Sequence, residues 1–137
     1  MKKLLLLFII PFFAFQSNQT EVSIIGKWKG EEKGDIGFVS FDKEGYTIFE
    51  TGDQKMGGKE FTMNGKKAKM TYNVNTEVKP IALDLIITIL ENNESKSMLG
   101  IIEFEGEDKM HMALGFDGSS RPTEFNDDNS IYFFREK

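Results

Sequence analysis

Apolar and polar residues alternate along most of this chain, and Gly, Asn and Asp keep interrupting the alternation. The clearest run is 66–75. There Ala68, Met70, Tyr72 and Val74 recur at every second position, with Lys67, Lys69, Thr71 and Asn73 between them. A period of two with one apolar face predicts a half-buried β-strand. The run 109–116 repeats it, with Met110, Met112, Leu114 and Phe116 on one face and His111, Ala113 and Gly115 on the other. In 36–42, Ile36, Phe38 and Ser40 alternate with Val39 and Phe41. Shorter strands are expected over 22–31, 46–51, 59–63, 97–105 and 130–135. Turn signals separate them at Gly34-Asp35, Lys43-Glu44-Gly45, Asn64-Gly65, Gly106 and Asp117-Gly118-Ser119-Ser120. Asn-Gly is a two-residue hairpin signal because both residues tolerate positive φ. The stretch 52–58 reads as a loose loop. The apolar run 81–90 is long enough for a helix, but its β-branched residues and Asp84 favour a strand. Pro80 cannot donate to a ladder and marks where that strand begins.

Short strands separated by regular turn signals, about 8 to 10 of them, predict an all-β sandwich or barrel. Closure into an antiparallel barrel removes exposed edges, which a sheet without other protection requires. The expectation is one β-barrel domain over 22–137, preceded by a flexible lead-in at 17–21.

The first residues change the picture. Met1-Lys2-Lys3 is basic, and 4–15 is apolar except for the break at Pro11. A membrane-spanning helix needs roughly 20 apolar residues, so this run is short for a span. It reads as a secretory signal peptide over 1–16, with an uncleaved N-terminal anchor as the alternative. The mature domain is then exported, periplasmic or secreted, with no membrane span left after signal removal. The chain has no Cys, so neither a disulfide nor a lipidated cysteine is available to it. The net charge is −5, and loss of Lys2 and Lys3 takes it to −7. Such a surface argues against nucleic acid, which needs a basic face. The one basic cluster, Lys66, Lys67 and Lys69, reads as a solvated strand end.

Gly26-Lys27-Trp28 resembles the G-x-W motif that opens the first strand of lipocalins. In that family the Trp packs across the closed end of the barrel under a basic side chain from near the last strand. Arg135, in Ile131-Tyr132-Phe133-Phe134-Arg135, matches the latter position. The second half is similar to a narrower lipocalin-like family of small exported bacterial domains with no assigned function. The matching elements are Tyr72, Lys79-Pro80 with Ala82-Leu83-Asp84-Leu85, Gly100-Ile101, and Arg121-Pro122-Thr123-Glu124-Phe125. The resemblance implies a calycin-type antiparallel barrel with Gly26, Trp28 and Arg135 as its structural motif. One departure stands out. That family often carries Cys or polar residues before the Arg-Pro motif, where this chain has Met110-His111-Met112-Ala113-Leu114.

Candidate chemistry is sparse. His111 is the only His, so a zinc site with several His or Cys ligands is not expected. A Ser-His-Asp set would have to use His111, which the alternation places on the outward face. Asp84 interrupts an apolar run and is expected at a strand end, bonded to backbone or facing solvent. Asn126-Asp127-Asp128-Asn129 lacks the ligand spacing of a calcium loop and reads as a polar turn. No nucleophile, base and orienter set emerges, so no enzyme, metal or cofactor is expected. Six of the seven methionines lie in the mature domain, and Met suits a pocket that adapts to apolar ligands. The expected function is non-catalytic binding of a small apolar or amphipathic ligand inside the barrel. Met70, Tyr72, Met110, Met112 and Phe116 are expected to line the cavity, with Arg121 near its mouth. For Arg121 a structural role, tying its loop to the barrel through backbone carbonyls or an acidic partner, is favoured over anchoring a ligand headgroup. The rival reading is a filled barrel that binds a protein partner, with the acidic surface and the 52–58 loop in its support.

Overall fold

The computed structural model describes residues 22–32, 34–115 and 120–137. The expected signal peptide, the lead-in at 17–21, Phe116 and the turn at 117–119 lie outside the described residues. Every described element is a strand: β1 (Gly26–Glu32), β2 (Asp35–Phe41), β3 (Thr47–Thr51), β4 (Gln54–Met63), β5 (Lys66–Asn75), β6 (Ile81–Ile89), β7 (Ser95–Phe104), β8 (Lys109–Gly115) and β9 (Ser130–Arg135). Each pairs antiparallel with the next, and β9 pairs with β1, so the nine strands form a closed barrel. The fold class expected from the alternation is the one observed.

Local chemistry explains most of the turns. Asn64 and Gly65 both take positive φ, 52° and 81°, and join β4 to β5 directly. In the β2–β3 turn the Asp42 carboxylate accepts from the Glu44 and Tyr46 amides, and Gly45 supplies a φ of 99°. The run 81–89 is a strand, as β-branching favoured. The first strand starts later than expected, at Gly26. Residues 22–25 instead run under the barrel, where the buried Trp28 indole N–H donates to the Ile24 carbonyl at 2.9 Å.

The segment 52–58 is not a loop. Gly52 and Asp53 make a tight turn, and β4 begins at Gln54. This strand also solves a geometric problem. Neighbours in a closed antiparallel ring must alternate in direction, so the ring needs an even number of runs. Nine strands close it because β4 is two runs. Its first arm, 54–57, pairs with β3 from Thr51↔Gln54 to Ile48↔Gly57. Its second arm, 58–63, pairs with β5 from Gly58↔Met70 to Met63↔Lys66, with a bulge between Gly58 and Phe61. The reversal falls at Gly57 and Gly58, whose φ values are 119° and 86°. Such angles favour glycine because a Cβ meets the backbone there. At Gly57 a Cβ would also strike the Thr47 carbonyl. Just below this vertex, Tyr46 and Thr71 form a bridge that joins β3 directly to β5. Above the vertex the two arms diverge, and no ladder joins them among the described residues.

The core fills the lower part of the barrel. Trp28, Val39, Phe41, Leu83, Leu85, Ile102, Met110 and Met112 point inward and are buried. Gly30 leaves room for the Phe133 ring, since a Cβ there would lie 2.6 Å from it.

Candidate functional site

The barrel has a sealed end and an open end, and the motif residues build the seal. Arg135 Cζ lies 4.2 Å from the centre of the Trp28 ring. Its Nη1 donates to Ile25 O at 2.8 Å, Nη2 to Ser23 O at 2.8 Å, and Nε and Nη2 both to Glu107 O at 3.0 and 2.8 Å. One guanidinium therefore ties the incoming chain and the β7–β8 turn across the bottom of the barrel. A Cβ at residue 26 would stand 3.0 Å from Arg135 Nη1, which is why a glycine precedes the Trp by two. Phe104 packs beside the indole at a tilt, ring centres 6.1 Å apart.

At the opposite end the inward apolar side chains are no longer covered. Phe49, Phe61, Met63, Ile87, Ile89, Met98, Leu114 and Ile131 are half-buried, and Met56 is 44% exposed. Between the arms of β4 lies a recess of about 370 Å³. Its walls are Phe49, Met56, Phe61 and Met63, with Thr51, Gln54, Lys55 and Thr62 around them. None of these is acidic. The bulge in the second arm and the lysines at 55, 59 and 66 blunt the free strand edges against pairing with another chain. The gap in the wall is thereby kept as a gap.

The expected cavity residues lie elsewhere. Met70, Met110 and Met112 are buried in the barrel, and Tyr72 packs edge-on against Phe41, ring centres 4.9 Å apart. The Tyr72 hydroxyl donates to Asp42 O at 2.7 Å, and burial pushes its pKa up, with Asp42 adding to the effect. None of these four lines the recess. Phe116 lies outside the described residues.

Arg121 is not at a mouth. It lies against the outer wall of β6 and β7, where Nη1 donates to Gly100 O at 2.9 Å and more loosely to Leu83 O at 3.4 Å. Nη2 stands 2.8 Å from Asp84 Oδ1, an ion pair that lacks hydrogen-bond alignment. Asp84 sits in the middle of β6, paired with Asn73 and Leu99, rather than at a strand end. These contacts are those of the structural role, holding its loop to the barrel. That loop, 120–129, lies over β7 and β8. A Cβ on Gly115 would strike the Ser120 carbonyl and meet Pro122, and Phe125 stacks on His111 with ring centres 4.2 Å apart. Ile101 and Ala113 face outward by alternation, yet are buried beneath it.

His111 does point outward, but it is sandwiched rather than free. Tyr132 stacks on its other face at 4.0 Å. Burial holds its pKa below the ordinary value, against the opposing pull of Glu105 and Glu103. His111 Nε2 is 2.9 Å from Ser130 Oγ, while that hydroxyl donates to Asn126 O. The imidazole N–H is therefore the donor to serine. That is the reverse of a base activating a nucleophile. Glu103, Glu105 and His111 offer atoms within 4.8 Å of one another, but both carboxylates are exposed. This grouping depends on Glu103 facing His111 across β7 and β8, a register the sequence does not print.

Two other clefts open on the surface. One, of about 910 Å³, lies at the Trp28 end of the barrel, lined by Val22, Pro80, Ile81, Ile102, Phe104 and Gly106. The other, of about 730 Å³, is on the outer wall where β1 and β9 part. No helix among the described residues is long and apolar enough to cross a membrane. No protein family, curated protein or solved structure matches the chain.

Proposed function

We propose that this protein is an exported, lipocalin-like carrier that binds one small apolar or amphipathic molecule without catalysis. The site is the recess between the arms of β4. The observation that carries this reading is the change along the barrel. Most inward apolar side chains toward the Trp28 end are buried, with Val74 and Phe104 half-buried, whereas around the recess all are half-buried or exposed. Water against Phe49, Phe61 and Met63 is a standing cost that a bound apolar group removes, at about 25 cal/mol per Å². The recess volume falls within the range of about 300–1,000 Å³ typical of small-molecule sites. The two Met side chains, Met56 and Met63, adapt to ligands of differing shape.

The test is native mass spectrometry of the protein purified from its own host, with extraction of whatever travels with it, and titration with an environment-sensitive fatty-acid probe. A stoichiometric apolar adduct, and probe binding that Phe61→Arg removes, support the reading. A bare mass with no probe binding sinks it, as does probe binding indifferent to Phe61→Arg.

A further inference from the structure

The outer-wall cleft is a separate feature. β1 and β9 pair over only three positions, from Trp28↔Arg135 to Gly30↔Phe133. Beyond Gly30 the strands part, and the edges of Glu31–Glu32 and Ser130–Tyr132 that face each other carry no ladder. An unpaired edge of this kind is a template for an added strand. Over it stand two exposed rings, Phe134 at 51% and Tyr132 at 40%. Exposed apolar surface rimmed by polar groups is typical of interaction sites.

The charge around the cleft selects the partner. Among the described residues that line it, Glu31, Glu32 and Asp127 stand against one lysine, Lys29, and none of these three carboxylates has an ion pair there. The rings already attract a cation from within the fold. Lys109 Nζ lies 4.6 Å from the centre of the Tyr132 ring and 5.8 Å from that of Phe134, while keeping its pair with Glu105 at 3.4 Å. The edges on the blunted β4 arms differ in this respect, being guarded by lysines and lined by no acid.

We infer that the β1–β9 cleft docks an extended, basic segment of a partner protein. The segment adds to the free strand edge, places apolar side chains on Phe134 and Tyr132, and sets its cations against Glu31, Glu32 and Asp127. Backbone pairing supplies affinity that tolerates sequence variation, and the carboxylates and rings supply the preference for basic segments.

The probe is a synthetic hexapeptide with valine and lysine taking turns at every second position and threonine between them, so that both fall on one face, with a counterpart carrying glutamate for lysine as control, titrated into isotope-labelled protein and followed by NMR. The expected result is amide shifts confined to Glu31, Glu32 and Ser130–Phe134, with affinity falling about tenfold in Phe134→Ser and in the Glu31→Gln, Glu32→Gln double variant. Both sites are exposed, so folding is checked by an unchanged spectrum elsewhere. Equal binding of the glutamate peptide overturns the inference. So do shifts spread over the acidic surface and unaffected by the variants, and so does an absence of shifts at the cleft.

Discussion

The seal at the barrel floor gives the sharpest prediction. Trp28 is fully buried, and truncation to Ala leaves a void that the surrounding strands cannot fill. Loss of a buried Trp costs about 3–5 kcal/mol. Two further losses follow from the geometry. The Ile24 carbonyl loses its indole donor, at about 1–3 kcal/mol if it stays buried. The Arg135 guanidinium, 4.2 Å from the ring, loses a contact of about 0.5–2 kcal/mol. These terms overlap, so Trp28→Ala is expected to cost about 4–6 kcal/mol in all. For a domain of this size that corresponds to a fall in Tm of about 12–25 °C. Trp28 is the only Trp, so the melt must be followed by far-ultraviolet circular dichroism or calorimetry rather than by fluorescence. Arg135→Met and the double variant complete a cycle, with a coupling energy of at least about 1 kcal/mol expected between directly contacting groups. A Tm fall below about 5 °C for Trp28→Ala, or no coupling with Arg135, would refute the clamp.

Further outcomes follow from other sites. His111 has its pKa lowered on folding, so the unfolded chain binds the extra proton first as pH drops. Stability is therefore fully present above the unfolded value of 6.5 and declines as pH falls through it towards the folded value, and Tm measured from pH 8 to 5 should lose that decline in His111→Gln. Thr47 is buried and its hydroxyl has no partner among the described residues, so Thr47→Val should leave stability unchanged or raise it by up to about 1 kcal/mol in urea denaturation; a loss beyond that means the hydroxyl has a partner. Gly57→Ala places a Cβ against the Thr47 carbonyl at a positive φ and should cost more than about 1 kcal/mol, with loss of amide protection on both arms of β4. Arg121→Ala should release the 120–129 loop, seen as faster proteolytic cutting there, at a stability cost of about 1–2 kcal/mol because the ion pair is partly exposed.

Much of the fold was legible because the information is local. Alternation in 66–75 and 109–115 put Ala68, Met70, Met110 and Met112 on the inward face, and that face is the buried one. Asn64-Gly65 marked a hairpin because few other residues accept its φ values. Gly26, Trp28 and Arg135 were legible as a set only through their resemblance to a known motif. Their physical logic, a glycine making room for a guanidinium, appears once the two ends of the chain meet.

The candidate site was less legible. The glycines at 52, 57 and 58 read as loop residues, since positive φ is common to a loop and to a strand that reverses within a wall. Which one it is depends on strand parity, set by the closing of β9 onto β1. Alternation also cannot tell a filled level of a barrel from an open one. Met110 and Met63 are both inward methionines, yet one is packed between closed strands and the other borders a gap. The partners of Arg121 were out of reach for the same reason, because those on β6 and β7 lie 21 to 38 residues away in sequence. The sequence by itself determined which residues form strands, where they turn and which face is apolar, because each depends on neighbours a few positions apart. Tertiary structure alone decided where the wall stays open and what lines it, because those depend on how distant strands pair to close the ring.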